Sequence, residues 1–509
     1  MLYHFFLNPL RDVTPLEPPV LKPSIPIIGH LIGLFRHHSH YLRILRDKVP
    51  SKPIVTLNLG TMKAYAVFDP QLQQYISRNK AAGSDQADAA AVLFGFDKKR
   101  VIDVIEGRDG VHAKSSSKQY MDAARAMLSG DSLRQMHERA MVYISGRLKA
   151  LDKVNQADSL YDWLQDLMSV ATSEAFFGEK NPYRQEGLVD DQWNFEGNME
   201  FLALPNTVAS IIARSAYHAR ARIHAALGRY YSAHDEEHGA AEVVRIRAVL
   251  LRQLGIADED FAKHEMTIMH GGTTNTIPAA FWVITNIFLR PQLAEELRVE
   301  AQAFCESSLD KETGKPKPNK NKPVVSIPLH RIPYACPLLN SCFRETMRLS
   351  SQWFGWRTLT QDLELPSSIT ESRPYILRKG AQVLMPAGVT HRLPSVWGSN
   401  DPDVFNPRRF MNDDENNRKV SKEQKGNYLP WGGGSHLCPG RNFATGEILG
   451  LVVALVLGFH VDGLREENVR MRWARIWEAI AKPEPGADGG RVVIRRREGW
   501  EDLEWDFVY

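Results

Sequence analysis

Read from its amino acids, the chain is mostly helical, with a minor share of β-sheet collected early and late, and three observations carry that reading. From about Gln119 to Arg290 apolar residues recur at helical spacing almost without interruption. The run from Asn442 to Gly458 is apolar on nearly every face, as only a buried helix is. Against these, P-I-V-T-L-N-L-G-T-M-K-A-Y-A-V-F alternates on both sides of Gly60, the pattern of a β-hairpin.

In chain order, the N-terminal M-L-Y-H-F-F-L-N-P-L is apolar but too short for a bilayer span or a signal-peptide core. Pro15, Pro18, Pro19, Pro23 and Pro26 then favour extended, stiff backbone up to Gly29, and a plain surface linker explains this run equally well. His30 to Val49 reads as one amphipathic helix. Its His37, His38 and His40 belong to a solvated face, because no thiol or carboxylate nearby completes a metal set. After the hairpin, Gly83 to Gly110 shows no side-chain pattern and is expected as a loop. A long helix over about Asp258 to Arg290 stops before Pro291. The basic, Pro-rich stretch Lys311 to Pro323 reads as a solvated loop between helices. Short strands are expected through Leu363 to Pro386, and R-V-V-I-R-R-R near the end reads as an edge strand.

Length alone, at 509 residues, suggests roughly three domains. A composition of 43% hydrophobic and 24% charged residues excludes disorder and coiled coil as descriptions of the whole. With 63 basic against 60 acidic residues the net charge is +3, too balanced for nucleic acid to be the main partner. The four cysteines, Cys305, Cys336, Cys342 and Cys438, form no C-x-x-C pair and no regular framework, which points to a reducing compartment.

The chemistry concentrates in Tyr428 to Ala444, Y-L-P-W-G-G-G-S-H-L-C-P-G-R-N-F-A. Three glycines precede Cys438, and Pro439 stands where a first helical residue is expected, since its missing N–H costs nothing there. A helix N-terminus stabilises a thiolate, and glycines let a flat group approach the backbone. On these residues alone, a structural cysteine on a glycine-rich turn explains the segment as well as a held thiolate does. No second thiol or paired histidine completes a zinc site, and His436 is too close in sequence to serve as the base of a cysteine nucleophile. Upstream, Glu345 and Arg348 lie three apart and share a helix face. In H-G-G-T-T-N-T-I-P-A-A-F-W, Pro278 cannot donate to the carbonyl of Thr274. A kink is therefore expected, with the hydroxyls of Thr273, Thr274 and Thr276 free to hold water.

Trp431-x-x-Gly434-x-x-x-Cys438-x-Gly440 resembles the cysteine loop of the cytochrome P450 superfamily, with Trp where Phe is usual. Glu345-Thr346-Met347-Arg348 is similar to that family's E-x-x-R helix. Phe405-Asn406-Pro407-Arg408-Arg409-Phe410 resembles the segment that supplies a third member, Arg409. The Pro278 helix is similar to the distal helix of the branch holding cholesterol 7α-hydroxylase and prostacyclin synthase. Its Thr274 and Asn275 stand where most members have an acid and a threonine.

The resemblance implies a mainly α domain with a small β-rich lobe, following an N-terminal tip and hinge over 1–29. It places haem b between the distal helix and the cysteine loop with its following helix. Cys438 would ligate the iron, with Trp431, Gly434 and Gly440 shaping the loop, and His436, Arg357 and Arg441 would meet the propionates. Thr274, Asn275 and Thr276 would organise water for proton delivery. The W-x-x-x-R of the family's early helix is not visible around Arg108 to Arg125, where Lys114 or Lys118 could substitute. The implied activity is oxygenation of an apolar small molecule with electrons from an NADPH–P450 reductase docking near Lys425 and Arg441, at the cytoplasmic face of the endoplasmic reticulum membrane. The rival readings are an isomerase or dehydratase of the prostacyclin-synthase type and a non-catalytic haem-binding protein.

Overall fold

The segment alternating around Gly60 forms an antiparallel hairpin, Ile54–Leu59 against Met62–Val67. In the computed structural model, residues 13–23, 28–83, 86–112, 115–125, 129–151, 154–310, 312–317, 323–370, 374–398, 401–411, 420–434 and 437–509 are described. The apolar N-terminal tip, Pro26, Lys114 and His436 fall outside them. By internal contacts the chain forms two units. One comprises Met1–Gln86, Ser341–Cys438 and Met471–Glu484, the other Ala87–Asn340, Pro439–Arg470 and Pro485–Tyr509.

In the first unit the hairpin is extended into a five-stranded sheet. Met62–Val67 pairs in parallel with Gln382–Pro386, which pairs antiparallel with Phe354–Leu359, and Ala82–Gly83 closes the edge. Both faces of the hairpin are covered. Ile54, Tyr65 and Val67 enter one apolar cluster, while Val55, Leu57, Ala64 and Ala66 enter another, following the period of two. The proline run is no loose linker where it is described: Val20 bridges to Thr56, and the Thr56 hydroxyl donates to the Pro18 carbonyl at 2.7 Å. Glu17 on this run is buried, accepting from the Tyr65 hydroxyl at 2.6 Å and from Lys63 at 3.0 Å.

The helix expected over His30 to Val49 is two helices, Leu31–His37 and His40–Lys48. They part at His38, whose φ of 48° ends the first, while the Ser39 amide turns to the Ala474 carbonyl. His40 stacks on Trp473 with ring centroids 4.1 Å apart.

The second unit carries the long helices, among them Gly130–Ala150, Leu160–Phe177, Arg214–Ser232, Asp258–Thr273, Thr276–Phe288 and Arg441–Gly458. In Arg441–Gly458 every residue from Gly446 onward is buried, which accounts for its apolar composition without a membrane. Three expectations are corrected here. Gly83 to Gly110 is not a plain loop: the alanine-rich Gln86–Phe94 is helical, as is Ile102–Ile105. Val492–Arg496 is the middle strand of three, between Phe459–Asp462 and Val154–Ala157, and both partners are too distant in sequence for local pattern to reveal. The basic stretch after Phe304 leads into a strand, Val324–Pro328, paired in parallel with Glu504–Val508, and not into a helix.

Candidate functional site

Glu345 and Arg348 are both fully buried on the helix Pro337–Ser350, one turn apart. The guanidinium of Arg348 meets the carboxylate fork to fork, Nε to Oε2 and Nη2 to Oε1, each at 2.8 Å. Arg409 adds Nε to Oε1 at 2.9 Å, and the Asn406 amide donates to the same oxygen at 3.1 Å. The remaining donors go to carbonyls: Arg348 Nη1 reaches His391 and Pro402, and Arg409 Nη1 reaches Trp397. Two cations around one buried anion are tolerable only because their N–H groups are engaged in this way.

This network holds the base of the cysteine loop. His391 is buried and its pKa falls to about 3, through desolvation and the nearby Arg348 charge, so the ring is neutral. Its Nε2 accepts the Leu429 amide at 2.9 Å, which leaves Nδ1 as the donor to the Ser351 carbonyl at 3.2 Å. Trp353 Nε1 donates to the Leu429 carbonyl at 2.8 Å, and the Ser351 hydroxyl donates to the Pro430 carbonyl. Further along, the Cys438 amide donates to the Trp431 carbonyl at 2.9 Å and closes the loop on itself. Gly434 must be glycine: it takes φ +61°, and a Cβ there would sit 2.9 Å from the Ser77 carbonyl oxygen. Cys438 is partly buried, and none of the four cysteines is in a disulfide. Pro439 is not the first helical residue. Gly440 is the N-cap of Arg441–Gly458, so proline and cysteine both precede the cap.

Whether these residues fit a haem is tested by Arg357. It is 5% exposed, its guanidinium donates to the Trp356 carbonyl at 2.8 Å, and burial lowers its pKa. Among the described residues no carboxylate pairs with it. A buried guanidinium that lacks an anion suits a propionate carboxylate. Cys438 would supply the soft sulfur donor that haem iron takes in a thiolate site. Arg441 is the first residue of its helix and partly buried. Lys118 is exposed on Ser115–Arg125.

In the second unit, the stretch expected as one kinked helix is two, Asp258–Thr273 and Thr276–Phe288. The break falls at Thr274–Asn275, with Asn275 at φ −110°, because Pro278 has no N–H for the Thr274 carbonyl. The hydroxyls are not all free to hold water. Thr273 donates to the Met269 carbonyl at 2.8 Å, and Thr274 pairs with His270 Nδ1 at 3.0 Å. Thr276 is buried and Asn275 partly so. Gly272 lets this helix close on Leu160–Phe177: a Cβ there would lie 2.6 Å from Phe176 and 2.9 Å from Thr172.

His391, Ser351, Trp353 and Asn406 carry no signal in the sequence, because they bind the loop and the ion network through backbone groups that no motif spells out. His270 carries only one, its i to i+4 spacing to Thr274.

Comparison with known proteins bears on the whole chain. The family model described as "Cytochrome P450" matches residues 18–487. A "Cytochrome P450 monooxygenase" of Gibberella zeae is 31% identical over 97% of this chain and 92% of its own length. The human "7-alpha-hydroxycholest-4-en-3-one 12-alpha-hydroxylase" is 24% identical over 89% of this chain and 88% of its own. Among solved structures, retinoic acid-bound cyanobacterial CYP120A1 superposes with a TM-score of 0.70 at 16% identity, covering 95% of this chain and all of that one.

Proposed function

The chain belongs to the cytochrome P450 family and has its fold, and on that premise we propose that it hydroxylates or epoxidises a sterol-, terpenoid- or polyketide-like molecule with electrons from an NADPH–P450 reductase. It is a monooxygenase, its cofactor is haem b, and the family works on apolar substrates with redox partners. When bound, the haem supplies dioxygen activation, for which a thiolate ligand favours O–O cleavage.

The chain's own residues divide the remaining work. Cys438 is the ligand, on a loop whose base is fixed by His391, Trp353 and Ser351. Arg357 binds a propionate carboxylate, and Arg441 and His436 are the further candidates for the propionates. Trp431 carries the carbonyl that closes the loop, Gly434 lets its backbone pass close to Ser77, and Gly440 caps the helix that follows. At the helix break Thr274, Asn275 and Thr276 position water and pass protons. The reductase docks on the surface that carries Lys425, which is exposed on Lys422–Asn427. Contact with the cytoplasmic face of the endoplasmic reticulum membrane is part of the same proposal, by analogy with the mammalian relatives.

The observation that carries the oxygenase reading is the break at Thr274–Asn275, where a hydroxyl stays tied to a titratable ring although the usual acid is missing. Loss of that acid also favours a second reading, a peroxide-rearranging isomerase. Incubation of holoenzyme with sterol, terpenoid and polyketide panels separates the two. The proposal expects product only with NADPH, reductase and dioxygen together; product formed without NADPH contradicts it.

A further inference from the structure

The family's usual distal acid is replaced here by Thr274, so a proton route through that position needs a titratable group from elsewhere. We infer that His270 is this group, a positioning residue that supplies protons to the helix break through the Thr274 hydroxyl. The inference rests on the oxygenase reading above and deepens it.

Four facts place His270 in that role. It lies one turn before Thr274, and its Nδ1 is 3.0 Å from Thr274 Oγ1. The Thr274 amide donates to the His270 carbonyl at 3.0 Å, so the backbone holds the pair in register up to the break. The ring is edge-on to Phe94, 5.2 Å between centroids at 79°, and to Phe195, 6.4 Å at 80°, so two apolar walls restrict its rotation. Thr274 is 1% exposed whereas His270 is only partly buried, and the Gly271 beside it is exposed with nothing within 4 Å of where a Cβ would stand. A buried hydroxyl thus adjoins a ring that water can reach.

Charged groups also lie on the surrounding elements, and several of them are paired. On the element of Phe94, Asp88 pairs with Lys98 and Arg108. On the helix of Phe195, Asp191 pairs with Arg222, and Asp190 and Glu196 share that helix. Behind Phe94, Arg220 binds the Leu93 carbonyl and His224 the Phe94 backbone. Earlier on its own helix, His264 and Glu265 are tied to Arg247 and Tyr120.

Oxygenation consumes one dioxygen, two electrons and two protons, placing one oxygen atom in the product and releasing the other as water. The electrons come from the reductase. For each proton, His270 takes H⁺ from water at Nε2 and gives its Nδ1 proton to Thr274 Oγ1. The Thr274 hydroxyl releases its own proton into the break. The ring is neutral again and re-equilibrates with water before the next passage.

The test uses holoenzyme with H270N, which keeps a hydrogen-bonding group near the Nδ1 position but cannot titrate, and H270F, which removes both properties. Product per NADPH is followed across about pH 5.5 to 8.5, a window spanning the ordinary histidine pKa of about 6.5. Wild type should show an inflection there. H270N should lose the inflection and fall on the order of tenfold at its plateau, with the reduced CO-bound spectrum unchanged. Independently of turnover, ¹⁵N-histidine NMR should show the His270 titration shifting in T274V. An NADPH-dependent H270N enzyme with the wild-type pH profile overturns the role of His270, as does an unshifted titration in T274V. Equal product without NADPH in wild type and H270N overturns the oxygenase reading instead.

Discussion

The cysteine loop and the broken distal helix solve the same problem, holding polar groups inside a protein, in opposite ways. At the loop, Glu345 collects donors from Arg348, Arg409 and Asn406, and His391 is locked in one tautomer between Ser351 and Leu429. These partners come from segments scattered over about 84 residues of sequence, so no single rotation can exchange them. At the helix break the partners are local: Thr273 bonds Met269 and Thr274 bonds His270, each four residues back. A network built from distant segments holds a loop in place, whereas an i to i−4 pair can be remade by rotating the threonine side chain alone. The difference suits the roles proposed for them, a thiolate ligand that must not move and a proton path that must.

Removing the thiolate is the severest way to test this contrast. Cys438→Ala should abolish the reduced, CO-bound spectrum of thiolate-ligated haem together with all turnover, while Thr274→Val should retain the spectrum. An unchanged spectrum in Cys438→Ala refutes the ligand assignment.

The next effect is on stability. Glu345→Ala leaves the buried guanidinium of Arg348 and the partly buried one of Arg409 without their anion and should cost roughly 3–5 kcal/mol in denaturant unfolding of the holoprotein. A loss below about 1 kcal/mol would mean that the network is not what holds the loop.

Glu447 sharpens the comparison, because on the helix after the cysteine it is the exception to full pairing. It is fully buried, Thr172 donates to Oε1 at 3.0 Å, and among the described residues Oε2 has no partner. Burial pushes its pKa from 4.5 up to about 8. Between those values the folded state holds a proton that the unfolded state has released, so stability falls as pH rises, by about 1.4 kcal/mol per unit. Glu447→Gln should remove that slope between about pH 5 and 8, read as a flatter dependence of Tm on pH. Parallel pH curves for the two proteins would show that Glu447 is ionised in the fold.

Much of this was legible in the sequence because it is local. The hairpin around Gly60, the buried helix ending at Gly458 and the turn between Glu345 and Arg348 all follow from spacing. The helix break was foreseeable from Pro278, although two of the three hydroxyls expected to hold water, those of Thr273 and Thr274, are bonded within the helix. What stayed hidden was non-local. Val492–Arg496 looks like an edge because its neighbours lie hundreds of residues and about thirty residues away. His391 looks like any buried histidine until Leu429 and Ser351 are brought to its two nitrogens. The break at His38 depends on a contact with Ala474 that no pattern in His30 to Val49 contains.

The most direct measurement is isotopic. Holoenzyme, NADPH and reductase are supplied with ¹⁸O₂ and the apolar panel, and any product is weighed by mass spectrometry. A monooxygenase gives product carrying one ¹⁸O atom and none when NADPH is left out. Product free of ¹⁸O, formed at the same rate without NADPH, would contradict oxygenation and identify a rearranging enzyme.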